Sequence, residues 1–252
     1  MRPDSVHARD LTPGQTRASL AIIAVLFFIF GFVSWANAIL IPYFKIACEL
    51  THFEAYLVTF AFYISYLVFS WPAAGLLRRT GFKRGMMLGF WIMSAGALLF
   101  IPAAYARAYP VFLGGLFTLG AGLAILQTAA NPYVTVLGPQ ASAARRFSLM
   151  GIGNKGAGIL APILFAAVVL RVTDTALFAA LPTMEPAAKA AALDELVRRV
   201  VTPYGVVAAV LAVLGLLVRW SPLPEIDADH ESAEVAEANA GKTSVFQFPQ
   251  LV

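Results

Sequence analysis

Six apolar stretches, each close to the length of a bilayer-spanning helix, constrain this chain more than any other feature of its sequence. They cover residues 18–41, 55–77, 86–105, 111–137, 147–170 and 204–218. A bilayer core of about 30 Å requires about 20 residues at a helical rise of about 1.5 Å each. Because every backbone N–H and C=O in lipid must be paired within its own segment, runs of this length are expected to be helices. The sequence therefore predicts an all-α membrane protein with six transmembrane helices.

Charged residues are scarce and unevenly placed. They make up 13% of the 252 residues, against about 25% in soluble domains. No Asp or Glu occurs between Glu54 and Asp174, which excludes an ordinary globular enzyme. The basic residues lie in short clusters between the apolar runs, a pattern that is typical of membrane loops and excludes nucleic acid as a partner. This composition predicts a lipid bilayer as the surroundings of the chain.

The distribution of Lys and Arg among the loops predicts the orientation of the helices, because short cytoplasmic loops carry an excess of these residues. Nine of them lie in segment 1–17, in the second-to-third loop and in the fourth-to-fifth loop, whereas the first two alternate loops hold only Lys45 and Arg107. The N-terminus is therefore predicted to be cytoplasmic, with residues 1–17 as a tail.

Three further segments stand out within or after the predicted bundle of residues 18–220. Residues 185–200 have Ala, Leu and Val at helical spacing with charges on the other side, which predicts an amphipathic helix at the outer interface. Residues 221–244 are acidic and contain no aromatic residue, which predicts a cytoplasmic linker. Residues 245–252 begin a new apolar phase and are interpreted as the start of a truncated seventh helix; a naturally short C-terminal tail is the alternative.

Polar residues inside the spans are the main functional signal, because each costs free energy in hydrocarbon unless it meets a partner or a water-filled cavity. The second span carries Tyr63 on a face of hydroxyl-bearing residues, and the fourth places Gln127 and Asn131 one helical turn apart. The candidate substrate-binding residues are Trp35, Asn37, Tyr63, Gln127, Asn131, Asn154 and Lys155.

These amides, hydroxyls and rings suit a neutral polyhydroxylated ligand such as a sugar. Amides offer paired donors and acceptors, and aromatic rings stack on the C–H faces of a sugar ring. The alternative is that the amides join one helix to another and serve no ligand. Four helices that each carry such a face favour a cavity.

Lys155 is the only charged residue well inside a predicted span. It is interpreted as a charge that faces the cavity or pairs with another part of the protein, and an anchor whose stem reaches toward the interface is the alternative. The three histidines and Cys48 lie outside the spans. The spans hold no paired carboxylate, metal-ligand cluster or glycine-rich phosphate loop, so the sequence predicts no enzyme, no cofactor and no metal site.

Four segments together resemble one transporter family. They are FFIFGF at 27–32, WANAILIP at 35–42, QTAANPY at 127–133 and GNKGAG at 153–158. The chain resembles the fucose:proton symporter family of the major facilitator superfamily, and within it most closely the bacterial N-acetylglucosamine permeases, followed by glucose/galactose permeases.

The resemblance implies a twelve-helix transporter of the bacterial inner membrane, built from two six-helix halves that each contain a 3+3 inverted repeat. The chain resembles the N-terminal half, so a missing C-terminal six-helix half is an expected partner. The implied function is transport of N-acetylglucosamine or a related hexose by alternating access, with a proton, a sodium ion or no coupling cation. The family's Asp in the first helix and Glu in the fourth are matched here by Ala38 and Gln127, which argues against proton coupling through those positions.

The residues alone leave two other functions possible. One is a non-transporting six-helix membrane protein that acts as a receptor or assembly scaffold. The other is a transporter of a different neutral solute.

Overall fold

The computed structural model describes residues 11–225, apart from the side chains of residues 37–40 and 140. This part of the chain is helical almost throughout. Its helices are α1 (Pro13–Ala47), α2 (His52–Thr80), α3 (Phe82–Ala106), α4 (Tyr109–Val136), α5 (Ala143–Val169), α6 (Asp174–Ala180), α7 (Pro186–Arg198) and α8 (Val201–Trp220). Short 3₁₀ turns at Gln140–Ser142 and Leu181–Thr183 precede α5 and α7.

Six helical segments of the described chain are long and apolar enough to cross a membrane. They are α1 to α5 and the segment Pro186–Trp220, which contains α7 and α8. The predicted all-α fold with six spans is thereby confirmed. Several helices begin before their predicted spans, because hydropathy marks only the apolar part of a helix. Helix α1, for example, begins at Pro13, where Thr12 and Gln15 form a capping box.

The other predicted segment boundaries are partly described. Helix α7 occupies most of 185–200, and its buried apolar side chains pack against the bundle. Of the predicted acidic linker, residues 221–225 are described. The predicted start of a seventh helix, 245–252, and residues 1–10 of the predicted tail lie outside the described residues.

The spanning helices pair across two three-helix units, α1 to α3 and α4, α5 and α8. Helix α1 packs along α5, α2 packs along α4, and α3 packs along both α4 and α8. In a 3+3 repeat α1 corresponds to α4 and α2 to α5, so the α1–α5 and α2–α4 pairs are equivalent. Aromatic rings fill the interior, where Phe100 stacks on Tyr204 with ring centroids 3.8 Å apart.

Glycines allow the backbones of α3 and α4 to approach each other closely. A Cβ atom on Gly122 would lie 2.5 Å from the Gly89 carbonyl oxygen and 2.8 Å from the Met93 nitrogen. One on Gly96 would lie 2.6 Å from the Leu119 nitrogen. Because these neighbours are backbone atoms, no side-chain movement can make room for a larger residue.

A buried ion pair joins the start of α6 to the turn between α7 and α8. Asp174 is 3% exposed, and both of its carboxylate oxygens accept hydrogen bonds from Nη1 of Arg199, at 2.7 and 2.9 Å. The Arg171 amide donates to the same carboxylate at 2.8 Å. Burial raises the pKa of Asp174, but the hydrogen bonds and the two arginine charges lower it more, so this pKa lies below its usual range.

We expect Gly122→Ala to destabilise the protein by about 1–3 kcal/mol, because the new methyl group overlaps the α3 backbone. Gly114→Ala is the matched control on the same helix. A Cβ atom there meets nothing within 4 Å, and alanine is the better helix former by up to about 1 kcal/mol. The apparent Tm of both variants in detergent, followed by tryptophan fluorescence, checks this, and equal values would contradict the packing.

Asp174→Asn is expected to lower the free energy of unfolding by about 3 kcal/mol at neutral pH, because it leaves Arg199 buried without its counter-charge. Since the pKa of Asp174 is lowered by folding, the pair stabilises the wild type above the ordinary pKa of Asp, and this contribution is lost as the pH falls through the lowered value. The Tm values of the two proteins should therefore converge at acid pH.

Glu195→Gln is the control for this variant, because the Glu195 side chain also contacts Arg199 but is 60% exposed. This substitution should lower the free energy of unfolding by less than about 1 kcal/mol. Identical pH profiles of Tm for wild type and Asp174→Asn would show that the pair does not contribute.

Candidate functional site

Polar and aromatic side chains lie open to the surface on α1, α2, α4 and α5, at depths where a membrane helix is usually apolar. Trp35 is 41% exposed and Tyr63 is 60% exposed, and Asn131 and Lys155 are also exposed. Gln127 is half-buried. The backbone of Asn37 lies on α1, and its side chain is outside the described residues.

The side chains of Trp35 and Lys155 come together where α1 packs on α5. The Lys155 ammonium lies 5.4 Å from the centroid of the Trp35 ring, a cation–π contact. The pyrrole edge of the same ring rests on Gly158, where an added Cβ atom would be 2.8 Å from Cδ1 and Nε1. Helix α5 begins at Ala143, one turn before its predicted span, which places Lys155 about 18 Å from the start of the helix at about 1.5 Å per residue.

Tyrosines of α2 form a second part of the open surface. The rings of Tyr63 and Tyr66 stack with centroids 6.2 Å apart. The Tyr66 ring also contacts Phe62 of the same helix, with ring centroids 5.9 Å apart. The hydroxyl of Ser70, further along the predicted polar face, instead donates to the Tyr66 carbonyl oxygen of its own helix.

Gln127 and Asn131 share one side of α4, as their spacing predicts. Within the described residues, neither side chain takes part in a hydrogen bond. Their neighbour Thr128 differs, because its hydroxyl donates to the Ala124 carbonyl oxygen at 2.8 Å. Helix α4 continues through Pro132 to Val136, so the proline removes one backbone hydrogen bond without ending the helix.

Asn154 joins two helices. Its Nδ2 donates to the Phe27 carbonyl oxygen of α1 at 2.9 Å. Close by, Gly31 faces the Asn154 backbone with no space for a side chain. This is the interhelical role that the sequence left open as the alternative for the amides.

The electrostatics of this surface depend on one side chain. Among the described residues of the six spanning segments, Lys155 is the charged side chain nearest to the middle of its helix, and no ion pair involves it. No Asp or Glu lies between Glu54, in the first turn of α2, and Asp174. No group of three or more His, Cys, Asp or Glu side chains that could hold a metal ion occurs in the described part of the chain.

A narrow cleft between α1, α4, α5 and α8 is apolar and does not offer the polar partners that a sugar needs. It is lined by Phe32, Val33, Ala36, Leu119, Phe165, Tyr204 and Val207. The open face with Trp35, Tyr63, Gln127, Asn131 and Lys155 is therefore the better candidate for a ligand.

The sequence did not predict that Gly158 packs against the Trp35 ring in this face. A glycine in a membrane helix indicates close packing without naming the partner. Only the structure shows that the partner is the edge of a candidate ligand-binding ring.

Comparison with known proteins agrees with this architecture. The family model of the Major Facilitator Superfamily matches residues 23–249. The L-fucose-proton symporter of Escherichia coli K12 is 35% identical over 235 residues, which is 92% of this chain and 54% of the symporter. A glucose/galactose transporter of Brucella abortus is 34% identical over 247 residues, 98% of this chain and 55% of the transporter.

Solved structures give the same result. The crystal structure of the transporter FucP in the outward conformation superposes with a TM-score of 0.72 and 33% identity, covering 90% of this chain and 56% of FucP. The chain spans about half the length of the curated relatives it matches. The resemblance to the fucose:proton symporters is thereby confirmed, and this multi-pass membrane chain belongs to the Major Facilitator Superfamily.

Proposed function

We propose that this chain is the N-terminal half of a sugar transporter that moves N-acetylglucosamine or a related hexose across the bacterial inner membrane by alternating access. The observation that carries the proposal is the open face of amides and aromatic rings on four helices of a transporter fold. The relatives described above are named for fucose and for glucose/galactose. N-acetylglucosamine remains a prediction from the resemblance.

The chemistry of the open face supports a sugar. Gln127 and Asn131 each offer a carbonyl acceptor and an amide donor, which match the vicinal hydroxyls of a pyranose. The Trp35 and Tyr63 rings offer apolar surfaces for its C–H faces. Since the Asn154 amide nitrogen already donates to Phe27, we assign Asn154 first to holding α1 and α5 together and only its remaining acceptor to the ligand.

The proposed partners follow from the same face. A C-terminal six-helix half covers it and completes the cavity. Between Glu54 and Asp174 the sequence contains no carboxylate, and the positions that the resemblance assigns to the family's acids are Ala38 and Gln127. Transport is therefore proposed to be coupled to a proton bound outside the described spans, to sodium, or to no cation.

We expect Gln127→Ala, in the protein that the native gene encodes, to weaken sugar uptake. Loss of neutral hydrogen bonds worth about 1 kcal/mol predicts a rise in KM of about fivefold. Uptake of labelled N-acetylglucosamine into cells, with the amount of inserted protein measured in parallel, checks this. Thr128→Ala is the adjacent control, because the Thr128 hydroxyl is already bonded to its own helix, and its uptake should match that of the wild type.

Other outcomes separate the alternatives. Stable insertion without uptake of any sugar would favour a receptor or scaffold. Uptake of a different neutral solute from a labelled panel would change the substrate and keep the transporter. Unchanged kinetics in Gln127→Ala would remove this residue from the site.

The proposed orientation, with a cytoplasmic N-terminus, predicts which loops a membrane-impermeant maleimide can reach in intact cells whose outer membrane has been removed. Val172→Cys in the α5–α6 connection, where the residue is 98% exposed, should be labelled. Ala141→Cys between α4 and α5 should be labelled only after lysis. Both are made in a Cys48→Ser background, although burial raises the pKa of the Cys48 thiol to about 11 and slows its reaction. The reverse pattern would contradict the orientation.

A further inference from the structure

Lys155, Trp35 and Gly158 form one compact group, which we call the Trp35 group. Lys155 and Gly158 are three residues apart on α5 and therefore lie on the same side of that helix. The Trp35 ring of α1 rests with its edge on Gly158, while the Lys155 ammonium lies 5.4 Å from the ring centroid. A single stretch of α5 thus holds both the ring and the charge.

The position of the ring depends on the absence of a side chain at residue 158. A Cβ atom there would lie 2.8 Å from both Cδ1 and Nε1 of Trp35 and 3.1 Å from Cγ. Even an alanine would therefore push the indole away from α5. Moving the ring also removes the surface over which the Lys155 ammonium lies.

The charge of Lys155 is not neutralised within the described part of the chain, because no ion pair there involves it. The same surface presents Tyr63, Gln127 and Asn131, none of which is a carboxylate that could pair with Lys155. In the cavity that the proposed C-terminal half completes over this face, a charge acts more strongly on a ligand than it would in water. A ligand that contacts the exposed part of Trp35 therefore lies beside a positive charge.

We propose that the Trp35 group sets the charge preference of the transporter, a proposal that rests on the sugar-transport function proposed above. Lys155 favours sugars whose substituent presents a carbonyl or carboxylate oxygen beside the ring, and it rejects sugars that carry an ammonium group. Gly158 is a positioning residue, because it acts on the ligand only through the placement of Trp35.

The test is direct uptake of four labelled sugars that differ in one substituent: glucose, glucosamine, N-acetylglucosamine and glucuronate. For the wild type we expect glucosamine to be taken up with a kcat/KM at least about tenfold below that of glucose, because like charges repel in a desolvated site. N-acetylglucosamine or glucuronate should exceed glucose, and which of the two does so distinguishes an amide carbonyl from a carboxylate as the preferred acceptor.

Two variants of Lys155 isolate its charge. Lys155→Met should raise the kcat/KM for glucosamine to within about threefold of that for glucose. It should also remove the higher kcat/KM of the sugars that carry an acceptor oxygen. Lys155→Arg keeps the charge and should keep the order of the four sugars. An unchanged order in Lys155→Met, or an equal loss for all four sugars, would overturn the proposal and leave sugar transport standing. Failure of the wild type to take up any of the four would overturn this proposal, and failure with fucose and galactose as well would overturn the proposed function.

Gly158→Ala tests the positioning role, and the chain provides a matched control for it. An added Cβ atom on Gly215 of α8 would lie 2.8 Å from Cδ1 and Nε1 of Trp91, the same crowding of a tryptophan on a pair of helices away from the Trp35 group. Gly158→Ala should weaken the preference among the four sugars, whereas Gly215→Ala should lower the Tm by a similar amount and keep the preference. Equal effects of the two variants on the preference would show that Gly158 is structural only.

Discussion

The close approach of α4 to its two neighbours determines which part of that helix remains free for a ligand. Gly115 and Gly122 face α3, and Gly120 faces Phe62 and the Ser65 hydroxyl of α2. Helices in lipid gain little from the hydrophobic effect and associate mainly where small residues allow backbones to come close. Gln127 and Asn131 lie on the same side of α4 as Gly120, two and three turns further along, where this side of the helix is half-buried and then exposed.

Helices α1 and α5 pair by the same principle with different residues. Gly31 meets the Asn154 backbone, and the Asn154 amide donates to the Phe27 carbonyl oxygen. In the 3+3 arrangement this pair is equivalent to α2 and α4. The two pairs therefore fix the two sides of the open face, and some of its residues, such as Trp35, also take part in the packing.

The sequence was sufficient to predict the membrane-spanning helices, because the bilayer requires long apolar helices whatever their packing partners are. The shared side of Gln127 and Asn131 followed from helical geometry alone. The partner of Asn154 could not be predicted, since Phe27 is 127 residues away along the chain and only its backbone oxygen takes part. The same limit applies to Asp174, whose bond to Arg199 depends on where α7 folds back. Hydropathy also placed the start of α5 one turn too late, because polar residues continue that helix beyond its apolar part.

Lys155 shows how a charge can be retained in a membrane bundle without an anionic partner in the described chain. An ammonium above an indole gains about 0.5–2 kcal/mol, more as the site is desolvated. This contact does not neutralise the charge, so the lysine keeps an attraction for an acceptor on a ligand or on another part of the protein. The four helices of this face contain no Asp or Glu apart from Glu54 in the first turn of α2, while Lys155 presents a positive charge. A face of that kind attracts acceptor oxygens and repels cations, as the proposed charge preference requires.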